Sequence, residues 1–149
     1  MKIYRITREK YAEKLEASGR ENRWNKEKQY VVYASSSRSL ATLELVAHRN
    51  AIMEGVRYNT IIIHVPEYLD FVVEVDITKL PRNWHLLENK YVSQELGSDW
   101  YVNKSSPILR VPSAIIKEEY NYVLNTLHPD FSKIKIESVE DFNWDIRLL

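Results

Sequence analysis

Two spacings of apolar residues run through this chain. Residues 2–6 alternate apolar and polar side chains, the period of a half-buried strand. Residues 30–34 and 108–111 are short β-rich runs, and the second ends at Pro112-Ser113. Residues 59–65 carry Ile61, Ile62 and Ile63 in succession, which predicts a strand buried on both faces, and residues 71–75 predict another. A helical period appears over residues 37–48: Leu40, Ala41 and Ala47 stand three or four positions from Glu44 and share its face. Ser35, Ser36 and Ser37 offer N-caps for this helix, which is expected to reach about Met53. A shorter helix is expected over residues 8–17, closed by Gly19, with mixed helical signals over 91–103 and a helical turn over 121–125 before His128-Pro129. Residues 20–28 read as a polar loop around Trp24, and residues 78–89 as irregular chain broken at Pro81. Ile134, Ile136, Phe142, Trp144 and Ile146 fit two closing strands. The sum is an α+β fold, a single mixed domain over residues 1–149 with strands dominating its second half.

Glu44 stands out because its helix face is apolar. A carboxylate there either reaches solvent at an edge or loses water and needs compensation from the fold. Three other segments carry candidate chemistry. Arg23, between Asn22 and Trp24, is either a solvated arginine or a bidentate phosphate ligand. Tyr33 ends its strand either as a packing aromatic or as a ring that stacks on a flat heterocycle. Ser113 follows the rigid Pro112, either as a turn serine or as a hydroxyl aimed into a cleft; no glycine flanks it, so it is not a G-x-S-x-G nucleophile.

Composition narrows the classes. The 149 residues are 44% hydrophobic and 28% charged, an ordinary soluble balance. Twenty-one basic residues offset 21 acidic ones, which argues against a nucleic-acid footprint and against action on RNA. The absence of cysteine removes thiolate chemistry, and the scattered His48, His64, His85 and His128 form no zinc spacing, so no metal is expected. Gly19, Gly55 and Gly97 are too far apart for a Walker or dinucleotide-binding loop, so any nucleotide must be held by side chains. No apolar run approaches the roughly 20 residues of a membrane span, and a cytoplasmic protein without membrane contact is expected.

Taken in order, Arg23-Trp24-Asn25, Val32-Tyr33-Ala34-Ser35, Leu40-Ala41-Thr42-Leu43-Glu44 and Leu109-Arg110-Val111-Pro112-Ser113-Ala114 resemble the RES domain family, the toxin half of bacterial RES–Xre toxin–antitoxin pairs. Tyr4-Arg5-Ile6, Gly97-Ser98-Asp99-Trp100, Glu119-Tyr120-Asn121-Tyr122-Val123-Leu124-Asn125 and His128-Pro129-Asp130-Phe131 extend the likeness along essentially the whole chain. The resemblance implies a split β-core similar to that of ADP-ribosyltransferases and an enzyme that degrades NAD, as a glycohydrolase or a phosphorylase. NAD is then a substrate, and no cofactor is implied. It implies Glu44 as the catalytic anion, Arg23 on the pyrophosphate, Tyr33 stacked on nicotinamide, and Ser113 near the nicotinamide ribose or carboxamide. It also implies an Xre-type antitoxin partner, within a homodimer or a toxin–antitoxin hetero-oligomer. Protein mono-ADP-ribosylation and a non-catalytic interaction domain are the alternatives.

Overall fold

The computed structural model describes residues 1–48 and 52–148. Seven strands and two helices follow one another as β1 (Lys2–Arg8), β2 (Val31–Ser35), α1 (Arg38–Ala47), β3 (Tyr58–His64), β4 (Val72–Glu74), α2 (Lys90–Asn103), β5 (Ile108–Pro112), β6 (Tyr120–Asn125) and β7 (Lys135–Phe142). They form one mixed sheet in the order β4-β5-β6-β2-β1-β3-β7, with β4 parallel to β5 and every other pair antiparallel. The fold is α+β. Strand β1 pairs with β3 along its whole length, yet meets β2 only at Tyr4↔Ser35. The sheet therefore divides there into two wings, which is the split core the resemblance implies.

Strand alternation sorts the wing β4-β5-β6-β2 into two buried faces. Val32, Ala34, Ile108, Tyr122 and Leu124 pack with Ile3, Ile61 and Ile63 in one core. Val31, Leu109, Val111 and Val123 pack with Trp24, Trp84 and Trp100 in the other. Burial on both sides explains why β2 opens as a continuous apolar run and β5 is interrupted only at Arg110, which pairs with Glu74 of β4.

Helix α1 begins where expected. The Ser37 hydroxyl accepts from the Leu40 amide at 3.1 Å, and Leu40 and Ala41 are buried. The helix ends at Ala47 and does not reach Met53; residues 49–51 lie outside the described residues. Its apolar face is narrower than the spacing suggests, since Ala47 is exposed and Glu44 half-buried at the margin.

Three expectations are corrected. The helix over residues 8–17 is one 3-10 turn, Glu9–Tyr11. An isolated segment of that length is marginal as a helix, and the Glu9 amide instead donates to the Arg57 carbonyl at 2.9 Å, prolonging the β1–β3 pairing. The turn over 121–125 is strand β6, held between β5 and β2, because Tyr120, Tyr122, Val123 and Leu124 suit a pleated surface and two strand edges stand open beside them. One closing strand forms, not two: after β7 the chain packs Trp144 edge-on against Phe142 and Tyr58 at 4.9 and 5.8 Å and ends in a 3-10 turn at Ile146–Leu148.

Candidate active site

The alternation that buries the tryptophan-rich core continues past it into polar residues. Leu109 and Val111 lead to Ser113, Val123 leads back to Asn121, and Val31 leads through Tyr33 to Ser35. These side chains emerge on one face of the sheet, beside the margin of α1 that carries Glu44. There the Glu44 carboxylate meets two donors on one oxygen. The Ser113 hydroxyl donates to Oε1 at 2.8 Å, and the Asn121 side-chain amide donates to the same atom at 2.6 Å.

Ser113 is fully buried, and its oxygen also accepts from the Ile115 and Ile116 amides at 3.0 and 3.1 Å. With its lone pairs filled, the hydroxyl proton is committed to Glu44. Asn121 in turn accepts from the buried Ser35 hydroxyl at 2.7 Å. Among the described residues no hydrogen bond reaches Oε2 of Glu44.

Arg23 comes from the loop over residues 20–29, which has no regular structure and is nevertheless fixed. Asn25 is fully buried, and its amide donates to the carbonyls of Arg20, Lys26 and Gln29 at 2.8, 3.0 and 3.3 Å. Helix α2 grips the loop from outside. Ser93 donates to the Arg23 carbonyl at 2.6 Å, and Gln94 donates to the carbonyls of Asn22 and Asn25 at 2.9 and 3.2 Å. Gly97 lets the helix backbone lie directly on Trp24. The Arg23 guanidinium stands 5.8 Å from the Trp84 ring centre and donates to the Trp84 carbonyl at 3.4 Å. Burial pulls its pKa below the ordinary value, while the Glu44 carboxylate and the Tyr33 phenol act in the opposite sense. Arginine and glutamate thus share one electrostatic environment.

Tyr33 binds the loop to the sheet. Its hydroxyl donates to Asn25 Oδ1 at 2.6 Å and accepts from the Trp24 amide at 3.1 Å, and its ring packs against the tryptophan core. Burial raises the phenol pKa far above its usual value, outweighing the opposing Trp24 amide and Arg23 charge. Tyr33→Phe retains the ring and leaves the Trp24 amide and Asn25 short of a partner. We expect a loss of about 1–3 kcal/mol in a chemical-denaturation midpoint analysis; an unchanged midpoint would mean that the loop does not depend on this hydroxyl.

The fold therefore gathers Arg23, Tyr33, Glu44 and Ser113, residues up to 90 positions apart, on one face. Sequence reasoning missed Asn121 and Ser35. The strand alternation of β6, which places Asn121 in phase with Val123, was the available signal. It also missed the α2 clamp, for which Ser93 and Gly97, small residues one helical turn apart, were the signal. His48 is not part of the carboxylate's environment: its Nδ1 lies 2.8 Å from the Glu44 backbone carbonyl, on the exposed side. Among the described residues, no three His, Asp or Glu side chains stand together as a metal set, and no helix is long and apolar enough to cross a membrane.

Comparison with known proteins agrees with this architecture. A protein-family model described as RES domain matches residues 2–145. The chain is 36% identical over 128 residues to a protein of Sphingobium sp. (strain YBL2) named Prs ADP-ribosylating toxin, covering 85% of this chain and 80% of that one. It is 34% identical over 155 residues to Toxin Res of Photorhabdus laumondii, covering 100% and 97%. In three dimensions it is similar to a chain in the crystal structure of the M. tuberculosis MbcT–MbcA toxin–antitoxin complex, with a TM-score of 0.73 over 95% of this chain and 84% of that chain at 15% identity, a likeness of fold. A match that runs through both wings of the sheet and both ends of the site leaves one assignment: this chain belongs to the RES domain family.

Proposed function

We propose that this protein is a toxin that destroys NAD by cleaving the bond between nicotinamide and ribose, and that an antitoxin of Xre type restrains it. The observation that supports this reading most directly is the Glu44 carboxylate, anchored through Oε1 by Ser113 and Asn121, with no hydrogen bond to Oε2 among the described residues and Arg23 in its electrostatic environment. The names of the relatives and the toxin–antitoxin context of the structural neighbour point the same way.

The chemistry suits such a site. The nicotinamide nitrogen of NAD carries a positive charge. When the C–N bond breaks, its electron pair stays with that nitrogen and neutralises it, so no acid is required to expel nicotinamide. The ribose carbon becomes cationic, and a fixed anion beneath it lowers the barrier. Glu44 Oε2 is that anion. An oxygen nucleophile then bonds to the ribose carbon and releases its proton to solvent. Arg23 pairs with the pyrophosphate through parallel N–H donors, and the Tyr33 ring stacks on nicotinamide. Ser113 acts through Glu44, since its proton and lone pairs are already engaged.

Arg23→Ala should raise KM for NAD by about tenfold or more with a smaller change in kcat, the signature of a lost ground-state contact. Steady-state kinetics check this, and unchanged KM and kcat would take Arg23 out of the site. A second reading, protein mono-ADP-ribosylation, is favoured by the name of the Sphingobium relative. Incubation with NAD labelled in its adenine half, with and without phosphate, separates the outcomes. Free labelled ADP-ribose indicates hydrolysis, its phosphate ester phosphorolysis, and labelled protein transfer to a side chain. Intact NAD in all arms would refute the reading.

A further inference from the structure

We infer that Asn121 is a positioning residue for Glu44, and that Ser35 sets the orientation in which Asn121 works. The inference rests on the NAD-cleaving reading of the site. Oε1 of Glu44 receives two hydrogens, one from Ser113 at 2.8 Å and one from Asn121 at 2.6 Å. An oxygen that meets two donors acts purely as an acceptor. Two directed bonds also fix the plane of a carboxylate that a single bond would leave free to rotate. The consequence falls on the other oxygen, Oε2, which is held at one place with no hydrogen bond to it among the described residues.

The amide could fulfil this role in only one of its two orientations. With its N–H groups toward Glu44, its carbonyl oxygen faces the Ser35 hydroxyl at 2.7 Å, which donates to it. Turned over, two acceptors would oppose each other at Glu44. Ser35 and Asn121 are also cross-strand partners on β2 and β6, so sheet register sets these two side chains beside each other. Ser35 is moreover the residue at which β1 joins β2. The carboxylate is thereby tied to the seam between the two wings of the sheet.

Asn121→Ala should lower kcat for NAD loss by about 10- to 100-fold, the worth of one hydrogen bond to a charged group, while KM for NAD changes less than threefold. Ser35→Ala should give a smaller fall in kcat of the same kind. Asn121→Asp retains the size and shape of the side chain. Its protonated form can still donate to Glu44, whereas its ionised form sets two anions face to face. Its activity relative to the parent should therefore fall as pH rises across the carboxylate range, a profile that a purely structural role would not produce. A parent protein that leaves NAD intact overturns the functional reading and the relay together. A parent that consumes NAD, beside an Asn121→Ala protein with parental kcat or with its loss confined to KM, overturns the relay alone. An Asn121→Asp to parent activity ratio that is flat with pH also overturns it.

Discussion

Glu44→Gln is expected to reduce NAD consumption by about 10²–10³-fold while leaving the folded structure in place. The glutamine carbonyl can occupy the position of Oε1 and accept from Ser113 and Asn121 as the carboxylate does. Its amide then stands where Oε2 was, with the same shape and no charge. Packing around Leu40 and Ala41 on α1 is untouched. The substitution thus separates two quantities that Glu44→Ala would confound, because alanine leaves both donors without an acceptor and adds a penalty in stability. Thermal unfolding within about 2 °C of the parent, with turnover nearly abolished, is the predicted pair of results, since the glutamine carbonyl keeps both donors satisfied. A glutamine protein that consumes NAD at the parental rate would deny Glu44 any role through its charge.

Gly97→Ala carries the second large effect, and its sign is opposite to the one helix propensity gives. Gly97 lies inside α2, where alanine would ordinarily stabilise the helix by about 1 kcal/mol. Here a Cβ would stand 1.8 Å from the Trp24 carbonyl oxygen and 2.7 Å from its carbonyl carbon. Both are backbone atoms and cannot turn aside, so the helix and the loop must part. Their separation strains the hydrogen bonds from Ser93 and Gln94 to the loop carbonyls. Overpacking of this kind costs about 1–3 kcal/mol, which for a chain of this size lowers Tm by roughly 3–10 °C. Because Arg23 sits beside Trp24 on the displaced loop, KM for NAD should rise as well. Calorimetry and steady-state kinetics on one preparation test both halves, and a Gly97→Ala protein as stable as the parent would show that the loop is not clamped as described.

The clamp illustrates what a linear reading leaves out. The loop over residues 20–29 was legible as a loop, from its polarity and its scarcity of apolar residues. Its rigidity was not, because beside Asn25 and Tyr33 the groups that clamp it from outside come from residues 93–98, far along the chain. Tyr33 illustrates a subtler gap. A tyrosine expected at the end of its strand is compatible with packing and with ligand stacking alike; the structure extends β2 to Ser35 and places Tyr33 at its centre. The fold adds that its hydroxyl is the strut between the loop and the sheet.

The misread elements have a common cause. Residues 121–125 and 8–17 are short, and short segments take the structure their neighbours impose. Open edges of β5 and β2 make the first a central strand. Pairing alongside β3 holds the second to a single 3-10 turn. Calling residues 121–125 a turn concealed Asn121, because only a strand puts it in phase with Val123 and opposite Ser35.

By itself the sequence determined the α+β class, the positions of β1, β2, β3 and β5, a serine cap among Ser35, Ser36 and Ser37, and the helix that carries Glu44. Each follows from local periodicity and from side chains bonding within a few positions of themselves. The ordered residues around Arg23, Tyr33, Glu44 and Ser113 also sufficed for the family. Tertiary structure alone decided that Ser113 and Asn121 converge on one carboxylate oxygen, that α2 fixes the Arg23 loop, and that the site lies where the sheet narrows to Tyr4↔Ser35. The reason is physical. Directed hydrogen bonds between remote residues depend on strand order and register, and those are settled by the packing of the whole chain.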